Sequence, residues 1–244
     1  MKKLFSNIVV VIVAYTIGTT IGIIFLLLKW VGKIKTVNPE NFPEVKSRLI
    51  IVCNHPDLLD CMLEVFLIPA LLFPHHFLHP LKFTPWFTPD KRNFTRKWYW
   101  WWLLPRAIPI IRGGKENNGA KEARKMLQVL AKAAIIVLFP EGGRTRNGDT
   151  FLYSPSSGRR MRPLKKSVGW LVLKTKAPVL TIWTEDVSWF KEPTKRLFSR
   201  PRWKRKITVK IGKPMQFSDS LEAMSPSQLT EVITSSLLRL ADQE

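Results

Sequence analysis

The sequence is poor in cysteine, histidine and acid. Only Cys53 and Cys61 occur among 244 residues, which excludes a disulfide framework and suits a reducing compartment. Four histidines fall short of the roughly eight ligands a membrane di-iron centre takes. The H-H-x-x-H run at His75, His76 and His79 is therefore not read as a metal site, and no cofactor is expected. Eighteen acidic residues stand against 39 basic ones, a formal net charge of +21. Such a surface attracts polyanions: nucleic acid, anionic headgroups or an acidic protein. There is no recognisable RNA or DNA module, so nucleic acid is not an expected partner. There is also no internal repeat and no low-complexity linker. No A-x-A-like site follows the apolar N-terminus, which argues against a cleaved signal peptide.

What is present begins with an uncharged run of 21 residues, Ile8 to Leu28. At about 1.5 Å per residue a helix of that length matches the ~30 Å hydrocarbon core of a bilayer. Lys2 and Lys3 precede it; Lys29, Lys33 and Lys35 follow. The division expected is a membrane anchor over residues 1–35 and one catalytic domain over 36–244. The basic C-terminal flank favours that domain on the cytoplasmic side of a membrane, and the membrane expected is a bacterial inner membrane. Gly18 and Gly22 make one G-x-x-x-G pair, a weak signal for helix pairing.

Five short apolar runs read as buried strands: Leu49–Cys53, Ala107–Ile111, Ala134–Phe139, Pro178–Trp183 and Ile207–Ile211. Ala120, Ala123, Met126, Leu127 and Leu130 recur at helical spacing. Pro163 suits the first turn of another helix through Val168, Leu171 and Val172. A last helix reads from Leu221 to Ala241. Strands alternating with helices predict an α/β fold with a mostly parallel central sheet flanked by helices, behind the N-terminal membrane helix.

Two constellations carry chemistry. Asn54-His55-Pro56-Asp57-Leu58-Leu59-Asp60 directly follows the strand Leu49–Cys53. Pro56 is tolerated in a helix's first turn, so His55 is expected at a helix mouth with Asp60 one turn in. A carboxylate there accepts a hydrogen bond from one ring nitrogen and leaves the other to take a proton. The same residues also fit a helix-capping histidine and a solvated acid. The second constellation is Pro140-Glu141-Gly142-Gly143-Arg144-Thr145-Arg146, after Ala134–Phe139. A Gly-rich turn bearing arginine brings amides and a guanidinium onto a phosphate; an ordinary solvated turn fits too.

Taken together, N-H-x-x-x-x-D followed some 80 residues later by F-P-E-G-x-R resembles the glycerolipid acyltransferases, the lysophosphatidic acid acyltransferases and their relatives. Ala107-Ile108-Pro109-Ile110-Ile111-Arg112 resembles the block ending in a substrate-binding arginine. Ala177-Pro178-Val179-Leu180 resembles the late V-P-V block. The four stand in family order over residues 48 to 183. The resemblance implies a glycerolphosphate acyltransferase-like fold. It implies transfer of an acyl chain from acyl-CoA or acyl-carrier protein to a lysophospholipid hydroxyl drawn from membrane lipid, giving phosphatidic acid. By the same resemblance His55 is the catalytic base, Asp60 orients it, and Arg112, Glu141, Gly142 and Arg144 shape the phosphate site. Pro178 walls the acyl groove. Three departures bear on the acceptor: Asp57 replaces a small polar residue, Arg106 replaces glycine, and Gly143 replaces threonine or serine. Another lysolipid acceptor remains open. So does a different class, a basic non-catalytic membrane tether, although a tether needs none of the four blocks.

Two basic runs, Arg144–Lys166 and Lys191–Lys206, read by default as solvated faces and alternatively as phosphate, donor or membrane contacts. The stretch Arg96-Lys97-Trp98-Tyr99-Trp100-Trp101-Trp102 suits an interfacial anchor or a buried element equally.

Overall fold

The computed structural model describes residues 2–43, 48–55, 78–91, 98–111, 119–145, 148–185, 206–217 and 223–243. Its centre is a six-stranded sheet of β1 (Ile34–Val37), β2 (Leu49–Cys53), β3 (Trp86–Phe87), β4 (Ile135–Leu138), β7 (Val179–Glu185) and β8 (Ile207–Ile211). The spatial order is β1-β8-β7-β2-β4-β3. Strands β7, β2, β4 and β3 are mutually parallel; β8 runs antiparallel to β7 and parallel to β1. A small hairpin, β5 (Leu152–Tyr153) and β6 (Arg160–Met161), stands apart.

Successive strand residues point to opposite faces, and here both faces are covered. Ile50, Val52, Ile136 and Leu138 join one core with Leu130 of α4 (Gly119–Ala131), Leu171 and Val172 of α5 (Ser167–Thr175), and Ile233 and Leu237 of α6 (Pro226–Asp242). Leu49, Ile51, Cys53, Ile135 and Val137 join a second core with Phe83 of α3 (Pro80–Phe83) and Phe25. Burial on both sides is why these strands read as unbroken apolar runs.

Phe25 belongs to the N-terminal helix. Helix α1 (Lys2–Val13) passes through a π-helical turn at Ala14–Gly18 into α2 (Thr19–Trp30). Leu4–Trp30 is long and apolar enough to cross a membrane by length and composition. Yet α2 packs on β1, and α1 packs on α3 and on a 3-10 helix, Trp98–Arg106. Both ends of the rod therefore rest on the body of the protein. Its outer face exposes Leu4, Phe5, Ile12, Ile23, Leu27 and Trp30, and Leu81, Trp101 and Leu104 are exposed on the elements α1 touches. Within the tryptophan-rich stretch Trp101 is exposed, and Leu103 just after it packs against Phe87 and Ala107. Arg106 ties this layer together. Its guanidinium donates to Leu81 O at 2.5 Å and lies 5.3 Å over the Trp86 ring. Burial pushes its pKa down to about 10.

Several sequence expectations shift. Strand β1 straddles the 35/36 boundary between anchor and domain. Residues 107–111 are buried at Ala107 and Ile108 but make only isolated bridges, Phe87 with Ala107 and Asp90 with Ile110. Pro105 and Pro109 lack the N–H groups a continuous ladder needs. Pro163 does not open α5, which starts at Ser167. The main-chain N–H groups of Arg162 and Lys165 are drawn instead to Glu141 and to Pro140 O. The last helix begins at Pro226, behind a Ser225–Gln228 capping box; 218–222 lie outside the described residues. So do 186–205, most of the second basic run, together with His75, His76 and Cys61.

Candidate active site

β2 and β4 are parallel neighbours, with Val52 beside Leu138. The loops leaving their C-terminal ends therefore emerge side by side, the place where open α/β sheets bind ligands. This register joins two motifs 86 residues apart. His55 N–H donates to Glu141 Oε1 at 2.6 Å. Thr145 N–H donates to His55 O at 2.8 Å, and the Thr145 hydroxyl lies 3.1 Å from the same oxygen and 2.8 Å from Glu141 Oε2. Arg162 N–H donates to Glu141 Oε2 at 2.9 Å. His55 is thus held at both main-chain polar atoms. Its ring is buried, with its centroid 5.2 Å from that of Phe139.

The preceding residue is fixed from the other side. Asn54 Nδ2 donates to Thr184 O at 3.0 Å, and Thr184 N–H donates to Asn54 Oδ1 at 2.8 Å. This reciprocal pair ties the end of β2 to β7, so the histidine stands between two clamped strands. Buried polar groups of this kind are stable only when their partners are present.

Glu141 is 1 % exposed. Burial pushes its carboxyl above the usual range, opposed by the main-chain donors Arg162 and His55, the Thr145 hydroxyl and the Arg162 charge. Both carboxylate oxygens are occupied by the protein's own donors. Glu141 therefore holds the main chain at His55 and Arg162 in place. Gly142 has φ +70°, a left-handed conformation that favours glycine, and it turns the chain between Glu141 and Thr145.

Of the other expected site residues, Asp60 and Arg112 lie outside the described residues. Pro178 is at the opposite end of the sheet. Its carbonyl accepts from Ile50 N–H at 3.0 Å, level with the start of β2. At 3.3 Å per residue that is about 20 Å from His55, so the described geometry does not bring Pro178 to the site. Its ring instead lines a separate cavity with Arg48, Leu130 and Phe217. Asn54, Thr145 and Arg162 carry parts the sequence reading did not assign. Asn54 and Thr145 sit inside the quoted motifs; Arg162 had no signal beyond a basic run.

Comparison with known proteins decides the family. Residues 33–185, well over half the chain, match the family described as Acyltransferase. The chain belongs to the acyltransferase family. This acyltransferase is 24 % identical over 220 residues to a Bacillus subtilis (strain 168) protein named 1-acyl-sn-glycerol-3-phosphate acyltransferase, covering 90 % of this chain and 92 % of the relative. Its fold resembles the crystal structure of the 1-acyl-sn-glycerophosphate (LPA) acyltransferase PlsC from Thermotoga maritima, with a TM-score of 0.56 and 20 % identity, covering 88 % of this chain and 74 % of that one. The matched span contains β2, β4 and β7 and the clamp around His55 that they position.

Proposed function

We propose that this acyltransferase moves an acyl chain from a thioester donor, acyl-CoA or acyl-carrier protein, to the free hydroxyl of 1-acyl-glycerol-3-phosphate, giving phosphatidic acid for phospholipid synthesis. The observation that carries this reading is the convergence of His55 and the arginine-bearing turn at one sheet edge, Glu141 bridging them. The His55 imidazole takes the proton of the acceptor hydroxyl. The oxygen attacks the thioester carbonyl, the tetrahedral intermediate collapses, and the thiolate leaves with the proton returned by the imidazolium. Asp60 orients the ring. No acyl-enzyme is needed, because the base acts directly on the acceptor. Arg144 and Arg112 hold the acceptor phosphate, for which a guanidinium fork is suited.

The helix Leu4–Trp30 supplies the membrane contact, and the packing of both its ends on the body favours a rod lying in one leaflet over one that spans the bilayer. Its exposed apolar face, continued by Leu81, Trp101 and Leu104, supports that orientation, with the lysolipid drawn laterally from the same leaflet. The test is direct. Purified protein in mixed micelles receives lysophosphatidic acid and each donor in turn, and the product is identified by mass. Acylation of the phosphomonoester acceptor supports the reading; turnover of other lysolipids alone would move it elsewhere in the family.

A further inference from the structure

Arg162 belongs to none of the four motif blocks, yet its side chain packs into the Gly-rich turn. A Cβ built at Gly143 would stand 2.4 Å from Arg162 Nη1, and one at Gly148 would stand 2.8 Å from Arg162 Cδ and Nε. Neither glycine has a positive φ, so their backbone admits any residue. A side chain at either position would meet Arg162, its Nη1 at 143 and its stem at 148, and would displace it from where it lies. Position 143 is where the resembled family carries threonine or serine, and the missing side chain is the space Arg162 occupies.

The guanidinium is delivered by a fixed strand. β6 ends at Met161, and Arg162 N–H is bound to the same Glu141 carboxylate that holds His55. The hairpin before it is pinned. Asp242 accepts from Ser157 N–H at 2.7 Å, Arg159 donates to Ala241 O at 2.5 Å, and Arg159 pairs with Glu185 at 3.0 Å. Among the described residues no carboxylate makes an ion pair with Arg162 or Arg144. Both Glu141 oxygens are already taken. The Lys165 stem closes the third side, its Cε 3.0 Å from a Cβ built at Gly142. Arg162 and Lys165 thus crowd the turn that carries Arg144, and the acid that feels the Arg162 charge, Glu141, is buried with both oxygens taken by other donors, an arrangement that selects an anion.

We propose that Arg162 is a specificity-determining residue that binds the acceptor phosphate together with Arg144, and that Gly143 exists to admit it. This rests on reading the site as a lysophospholipid acyltransferase. A phosphomonoester offers a dianion with three terminal oxygens and can engage two guanidinium forks; a phosphodiester headgroup offers one charge and two oxygens. Arg162 therefore favours monoester over diester acceptors.

The experiment varies acceptor and donor separately in Arg162→Ala, Arg162→Lys, Gly143→Ala and the Gly143→Ala/Arg162→Ala double variant, with thermal unfolding to verify folding. Arg162→Ala raises the KM for lysophosphatidic acid roughly ten- to a hundredfold, leaves the donor KM unchanged and erodes the preference over lysophosphatidylglycerol. Arg162→Lys restores only part of it. Gly143→Ala raises the acceptor KM in the native background and adds nothing in the Arg162→Ala background. A folded Arg162→Ala enzyme with a native acceptor KM, a rise in the donor KM instead, or equal Gly143→Ala effects in both backgrounds would each overturn the proposal. A native enzyme inactive on every lysophospholipid would overturn the proposed function itself, a result distinguishable from any of these.

Discussion

Replacing Glu141 by Gln exchanges one side-chain oxygen for an amide nitrogen and tests what holds the histidine in place. The carboxylate accepts from His55 N at 2.6 Å, the Thr145 hydroxyl at 2.8 Å and Arg162 N at 2.9 Å. Gln keeps one acceptor. If its oxygen takes the His55 side, its NH2 faces Thr145, which rotates its hydroxyl to accept, and Arg162 N–H, which cannot adapt. One buried N–H is left without a partner, at a cost of about 1–3 kcal/mol. For a domain of this size that lowers Tm by roughly 2–12 °C. The loosened His55 main chain lowers kcat by about ten- to a hundredfold, since small displacements of a base are costly. The pH dependence has a definite sign. Burial raises the folded Glu141 carboxyl above its ordinary value of 4.5. Its contribution to stability is therefore full below 4.5 and is lost as pH rises through the raised value. Gln does not titrate, so this pH dependence is absent from the variant. Circular dichroism melts across pH and single-substrate kinetics measure both effects. A Glu141→Gln protein as stable and as active as the native one at every pH would show that the clamp does not position His55.

Two further outcomes are expected. Deleting residues 2–30 strips Phe25 and Leu28 from the second core, so the truncated protein melts lower, by several degrees, and binds membranes more weakly; a truncated protein with native Tm would contradict that packing. Asp242→Asn weakens the hold on the Ser156 and Ser157 amides. The Asp242 carboxyl is pushed up by desolvation but pulled down more strongly, to about 2, by the Ser157, Ser154 and Ser156 donors; the variant should speed hydrogen exchange at those amides, and unchanged protection would refute the pinning.

The strands readable from sequence were those buried on both faces. Leu49–Cys53 and Ile207–Ile211 match their apolar runs residue for residue. β1, with polar Lys35 and Thr36, and the two-residue β3 carry no such run and escape notice. The apolar stretch at 107–111 satisfied the burial criterion but not the hydrogen-bonding one, because of its prolines. In the candidate site, His55 and Glu141 were named from residue type and order, and the structure brings them together. The division of labour was not: whether a carboxylate in a motif turn faces a ligand or the backbone depends on the β2–β4 register. Pro178 matched a motif in sequence but lies at the far end of the sheet, since a strand's first residue and its neighbour's last are separated by the strand's length. Arg162 was hidden because a basic run looks the same whether its side chains are solvated or packed over glycines.

The central claim is that His55 removes the acceptor proton. The measurement that tests it most directly is turnover of lysophosphatidic acid to phosphatidic acid by folded His55→Ala protein, with the melting temperature and micelle binding measured on the same sample. The account predicts native-like folding and binding with a rate lower by about 10²–10⁴. A folded His55→Ala enzyme that turns over at a near-native rate would contradict it.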